Sequence, residues 1–293
     1  GTLVLSGVNQ FTGGIFVNEG ILSVTGPGAT EAGWNALGTA AARTVTLNGG
    51  TFQITGTAGY SLTNKTFSIG QAGGVLDIGS NTFTLATTAN LLTGAGDLIL
   101  GGTTTSDGVL SLAIGSNFTG DLYAQKGVVR LTNATGAGSG VIVVSSGAAL
   151  DVQVASVANR IALMGTGTYA TGALVNGGAL TTPSVTGQIL LGNNVSIGGT
   201  LTLSGEVTDQ GAGYGFTKVG SGTLTLSGTN SFTGQLQIQG GTVRLTRSAA
   251  LANFSNSSRV SVSSGAAIAL LYGTAADWAL PEINSFLAAV SYT

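Results

Sequence analysis

The 293 residues include no histidine and no cysteine. Without histidine there is no Ser-His-Asp or Cys-His catalysis. Without cysteine there are no disulfides and no thiolate metal sites. Charge is scarce too: Lys plus Arg total 9 and Asp plus Glu total 11, together 7% of the chain, against roughly 25% in an ordinary domain. The basic residues are scattered, so the concentrated positive footprint of a nucleic-acid binder is missing. Proline occurs three times. No apolar run is long enough to span a bilayer as a helix; the nearest, Ala266 to Tyr272, is far too short. The chain contains neither a Gly-x-Ser-x-Gly elbow nor a phosphate-binding glycine loop.

What is present is glycine, 50 residues, more than twice the usual share of about 7%. It has no period of three, which excludes collagen. Hydrophobic residues make up 43% and mean hydropathy is +0.43, so there is apolar surface to bury. The outside must then be covered by Ser, Thr, Asn and Gly instead of charge.

One phrase recurs. Gly1-Thr-Leu-Val-Leu-Ser-Gly-Val-Asn-Gln-Phe-Thr-Gly13 returns as Gly222-Thr-Leu-Thr-Leu-Ser-Gly-Thr-Asn-Ser-Phe-Thr-Gly234, and 12 of 25 positions are identical between residues 1–25 and 222–246. A looser copy reads Gly96-Asp-Leu-Ile-Leu, then, after an insertion, Asn117-Phe-Thr-Gly120. Repetition means one supersecondary unit stacked on itself. Between the copies, period-2 segments such as Thr44–Leu47, Gly140–Val144, Leu201–Leu203 and Arg259–Val262 are punctuated by Asn48-Gly-Gly50, Gln239-Gly-Gly241 and Ser263-Ser-Gly265. They are short strands joined by turns that tolerate positive φ. Units of about 20–25 residues predict an all-β solenoid of roughly a dozen coils, a single continuous stack over 1–293 with blocks beginning near 1, 96 and 222. Two stretches break the pattern, 28–42 and 275–289; each is read as a short helix or an excursion from the solenoid.

The run from Lys218-Val-Gly-Ser-Gly222 through Phe232-Thr-Gly234 to Gly241-Thr-Val-Arg-Leu245 resembles the autotransporter-associated β-strand repeat of bacterial passenger domains. Residues 1–25 match from the second Gly of that motif onward; 96–132 depart from it. The resemblance implies a right-handed parallel β-helix, cell-surface or extracellular and associated with the outer membrane. The late copy has the lead-in Lys218-Val-Gly-Ser221, which the first copy lacks, and a segment of a longer chain is therefore expected.

The remaining chemistry is thin. Glu206 and Asp209 are the one tempting carboxylate pair, and a solvated loop is the simpler reading. Asn9, Asn117 and Asn230, with Phe11, Phe118 and Phe232, could form an aromatic sugar platform, but turn closure and core filling explain their recurrence better. The calcium nonapeptide is absent. No catalytic, cofactor-binding or metal residue is assigned, no cofactor is expected, and a ligand-binding residue cannot be named. The function expected is a structural or adhesive segment without catalysis. The alternatives are a subunit of a head-to-tail extracellular fibre and a polysaccharide-acting β-helix enzyme. Expected partners are host, neighbouring-cell or matrix surfaces or their glycans, and the chain itself end to end.

Overall fold

The computed structural model describes residues 1–6, 9–25, 36–38, 43–56, 60–62, 65–86, 92–103, 108–168, 171–180, 182–274 and 277–293. They fall into two compact units, Gly1–Val143 and Val144–Thr293. Each is a stack of coils whose strands pair in parallel with the coil before and the coil after.

In the first unit three sheets run along the stack. One holds Thr2–Leu5, Ile21–Thr25, Thr51–Thr55, Gly74–Asp77, Leu98–Leu100 and Leu122–Ala124. A second holds Ile15–Val17, Arg43–Leu47, Lys65–Ile69, Leu92–Gly94 and Asn117–Phe118. The third includes Tyr60–Leu62, Thr82–Leu85, Val109–Leu112 and Gly127–Leu131. Thr51 pairs with Val75, and Val75 with Ile99, 24 residues further each time. That spacing is one coil, in line with the length read from the repeats.

Alternation explains why these segments are strands. In Thr51–Thr55 and Lys65–Ile69 every second side chain is buried, and stacking turns the buried positions into columns. Leu22, Phe52, Leu76, Leu100 and Ala124 succeed one another in register, all at 5% exposure or less. Phe52, Phe67 and Phe83, one from each sheet, meet edge to face with centroids 5.3 and 5.8 Å apart. Each such side chain contributes about 1.5–3 kcal/mol by burial, which is how a chain this poor in charge holds together.

The second unit repeats the plan. Ile161–Leu163, Ile189–Leu191 and Val207–Thr208 form one parallel sheet. A second carries Val195–Gly198, Phe216–Val219, Leu236–Ile238, Val260–Val262 and Ser291–Tyr292. A third carries Ser156–Val157, Ser184–Val185, Leu201–Leu203, Thr223–Leu226, Thr242–Leu245 and Ala267–Leu270. Hydroxyls secure one edge of this third sheet. Thr186, Ser204, Ser227 and Thr246 each follow a strand, and each side chain donates to the carbonyl of the coil beneath, at Val157, Val185, Leu203 and Leu226. The Ser or Thr that follows the strand is thus a lashing between coils.

The register corrects the middle copy of the phrase. Thr2 pairs with Ile21, Thr223 with Thr242 and Val109 with Val128, 19 residues in every case. The middle copy therefore begins at Gly108, not Gly96, and needs no insertion: 13 of 25 positions are identical between 108–132 and 222–246. A glycine confirms the alignment. Gly20, Gly127 and Gly241 share the position and adopt φ of +74°, +67° and +65°. A Cβ on any of them would run into the carbonyl oxygen of Gly1, Gly108 or Gly222, respectively. Only glycine suits both demands. Within the first unit, the copy at Gly1 starts on the first sheet and the copy at Gly108 on the third. The phrase specifies one closed coil, whichever sheet it starts from.

Of 28–42, only Ala36 to Gly38 are described, with Ala36 and Leu37 buried in a short 3-10 turn; the rest lies outside the described residues. In the C-terminal stretch the structure forms a helix, Leu280–Ala289. Pro281 stands in its first turn, and the Glu282 carboxylate accepts the Ala279 N–H at 2.8 Å. Trp278 is buried between Phe254 and Phe286, centroids 4.9 and 5.5 Å away. After the helix, Ser291 pairs with Ser261, so the helix is an excursion within a coil.

Candidate functional site

The carboxylates hold the chain to itself. Asp97 accepts the backbone N–H of Asp121, and Asp121 that of Val141, each a coil further on. Asp77, fully buried, accepts from the Gln53 amide and from the Thr103 N–H and hydroxyl. Asp151 takes the Gly177 N–H at 2.8 Å and the Gln153 amide at 2.7 Å. Asp277 takes the Thr274 N–H. No three His, Cys, Asp or Glu side chains gather to hold a metal among the described residues. Glu31 and Asp107 lie outside the described residues.

Glu206 and Asp209 flank the strand Val207–Thr208. Glu206 accepts from the Ser231 hydroxyl and the Gln188 amide, and those bonds hold its pKa below the usual value. Asp209 does not sit in a solvated loop: it is 2% exposed. Its carboxylate collects the N–H groups of Gly211, Gly213 and Tyr214 and the Thr233 hydroxyl, at 3.0, 2.7, 2.9 and 2.6 Å. Burial alone would raise its pKa; the hydrogen bonds from Thr233, Gly211 and Gly213 outweigh that, and the net shift is downward. The two carboxylates serve different partners and converge on no common point. Asp209 is a clamp on the turn 209–214.

The recurring Asn and Phe divide by position. Phe118 and Phe232 are 1% exposed, whereas Phe11, in the first coil, is 39% exposed. The Arg259 guanidinium lies 4.2 Å over the Phe232 ring, donates to the Phe232 and Ala252 carbonyls, and has its pKa pulled down to about 10 by burial. A ring covered in this way is core, not a sugar platform. Asn230 takes the Val207 N–H and donates to the Ala250 carbonyl; Asn9 donates likewise to Ala36. Asn117 is exposed. In the register of the phrase Ser116 stands where Asn230 does, and its N–H donates to Thr135 as that of Asn230 does to Ala249.

The family described as the passenger-associated-transport-repeat matches residues 1–24 and 216–245. Over 300 aligned residues the chain is 28% identical to the adhesin BmaC autotransporter of Brucella suis biovar 1 (strain 1330). The match covers 82% of this chain, which spans about 8% of that relative's length. No solved structure matches the chain. The match to the repeat and the similarity to the autotransporter adhesin place this β-helix at the bacterial cell surface or outside the cell.

The segment 216–245, which matches the transport repeat, contains a lysine whose role the motif alone does not disclose. Lys218 points inward with Phe216 from the strand Phe216–Val219 and is fully buried. Its ammonium donates to the carbonyls of Val219 and Gly220, at 2.8 and 3.0 Å, and reaches Ser221 and Gly240 at 3.4 Å. Burial lowers its pKa. Lys218 therefore closes the turn before the repeat's first strand from inside, tying it to the next coil at Gly240. The signal was available in the sequence: Lys218 shares the alternation phase of Phe216.

Proposed function

We propose that this chain is a structural and adhesive β-solenoid segment of a bacterial surface or secreted protein, without catalysis. The observation that carries the reading is the employment of the carboxylates. Asp77, Asp97, Asp121, Asp151, Asp209, Asp277 and Glu282 each accept a backbone N–H. A glycan-cleaving solenoid needs carboxylates that converge on a groove with one free to exchange a proton; these seven are bound to the scaffold. The outward surface supports the same reading. Thr217, Gln237, Ser261 and Ser291 succeed one another in register along one sheet of the second unit. Such a column offers hydroxyls and amides without charge, which suits contact with other surfaces through shape and hydrogen bonding. The Brucella relative is itself named an adhesin.

The test uses beads coated with the purified chain, applied to host cell layers, to extracellular matrix and to bacterial lawns, with albumin-coated beads as control. Retention on at least one surface, with no release of reducing ends from polysaccharides, is the expected result. Release of reducing ends that scales with protein, or retention no better than albumin on every surface, would overturn it.

A further inference from the structure

We propose that a groove on the second unit, bounded by Asn194, Gly213, Gly215, Thr217, Gln235 and Gln237, is a binding site for an uncharged oligosaccharide. This deepens the adhesive reading above and rests on it. The depression has a volume of about 360 Å³, within the usual range of small-ligand sites, about 300–1,000 Å³.

Its shape follows from the chain. In the strand Leu236–Ile238, Leu236 and Ile238 point inward, so Gln235 and Gln237 share the outer face. One coil below, Thr217 pairs with Gln237. Gly215 has no side chain to fill the space beside Gln235, and a Cβ there would strike the Gln235 carbonyl oxygen. Gly213 forms part of the wall at φ +84°, held by the Asp209 carboxylate and by the Thr233 hydroxyl at 3.1 Å. The buried clamp thus fixes the wall of a polar depression.

The groove's hydrogen bonding is already oriented. The Thr217 hydroxyl donates to Gln237 Oε1 at 3.5 Å, and Gln237 Nε2 donates to Gln235 Oε1 at 2.8 Å. Asn194 Oδ1 accepts the Gly215 N–H at 3.0 Å. With these oxygens engaged, the Gln235 and Asn194 amide NH₂ groups are donors of the lining open to a ligand. No lining side chain is ionised. A charged glycan would find no counter-charge, and an apolar ligand would leave the amides unpaired. A sugar hydroxyl can accept from one amide and donate to the next group, which matches walls of amides and a hydroxyl. Amides fixed in advance lose less entropy on binding. The register runs on from Gln237 to Ser261, so an elongated chain of sugars would meet a further hydroxyl at the next strand, ~4.8 Å away.

The test is titration calorimetry of the whole chain with cellohexaose, maltohexaose and chitohexaose, and with a heparin hexasaccharide as the charged comparison. Binding of at least one neutral hexasaccharide is expected, unchanged by added salt. It should weaken by roughly tenfold or more in Gln235→Ala/Gln237→Ala and remain intact in Arg244→Ala on another sheet. Circular dichroism and the urea midpoint of the double variant show whether it is folded. Should it unfold, Asn194→Ala replaces it. Absence of binding to every neutral sugar, binding to heparin alone, or binding indifferent to these substitutions would overturn the proposal. Bead adhesion that survives Gln235→Ala/Gln237→Ala would overturn the groove while leaving the adhesive reading standing; loss of all adhesion by the unaltered chain would remove both.

Discussion

Replacing Asp209 by alanine tests whether a buried carboxylate holds the turn that shapes the second unit's groove. The carboxylate accepts four hydrogen bonds. Bonds to a charged group contribute about 1.5–3 kcal/mol each, so simple addition would suggest a loss above about 6 kcal/mol. That overstates the effect: Gly211, Gly213 and Thr233 are exposed, and water can take their hydrogens when the carboxylate is gone. The donor least able to recover is the Tyr214 N–H, and the removed side chain leaves a small void. About 2–4 kcal/mol is the reasoned cost, at the upper end of single substitutions. Urea denaturation followed by circular dichroism measures it. Amide exchange should quicken at Gly213 and Tyr214 ahead of global unfolding. The acid limb carries a sign. Because the folded pKa lies below the unfolded value, the carboxylate's contribution is fully present above the unfolded value of about 3.9 and is lost as pH falls through the folded one. The gap between the parent chain and Asp209→Ala should be constant above about pH 5 and close below it. A gap under about 0.5 kcal/mol at neutral pH, the range of inconsequential surface changes, would refute the clamp.

Other substitutions probe the remaining parts. Gly241→Ala should cost at least about 1–2 kcal/mol in a urea melt, through its left-handed backbone and the Gly222 carbonyl it would meet. Gly147→Ala, left-handed but with nothing near its added Cβ, should cost less. Phe52→Ala removes the ring shared between columns and should cost about 3–5 kcal/mol, read from the same melts. Lys218 has a folded pKa below its unfolded one, so the unfolded chain holds the proton longer as pH rises. The urea midpoint should rise between the two values, and in Lys218→Met that rise should disappear.

Much of the architecture was legible in the residues. Leu-x-Leu alternation, the glycine punctuation and the recurrence of Asn and Phe each reflect one closed coil and its core. Gly-x-Leu-x-Leu also occurs outside the copies, as at Gly199-Thr-Leu-Thr-Leu203, so Gly96-Asp-Leu-Ile-Leu looks like the start of a copy although Gly108-Val-Leu-Ser-Leu is one. The Phe-Thr-Gly at 118–120 and the Gly-x-Val-Arg-Leu at 127–131 decide the alignment, since both fall in place only when counted from Gly108. Asp209 was not legible as a clamp because Thr233, a key partner, lies 24 residues on and becomes a neighbour only once a coil closes. The groove was invisible for the same reason: Asn194, Thr217 and Gln237 come from successive coils. The helix at Leu280–Ala289 was half legible, with Pro281 and Glu282 marking its start.

The central claim is that the recurring phrase closes one parallel coil of 19 residues whatever sheet it begins on. The native absence of cysteine allows a direct measurement. Ser111 pairs with Arg130 in the middle copy and Thr225 with Arg244 in the last. Neighbouring strands stand ~4.8 Å apart, inside the disulfide window of about 4.4–6.8 Å between Cα atoms. Under mild oxidation, Ser111→Cys/Arg130→Cys and Thr225→Cys/Arg244→Cys should cross-link nearly completely, and Ser111→Cys/Val128→Cys, displaced by two residues, should not. Cross-linking of the displaced pair in preference to Ser111 with Arg130 would contradict the register on which the account rests.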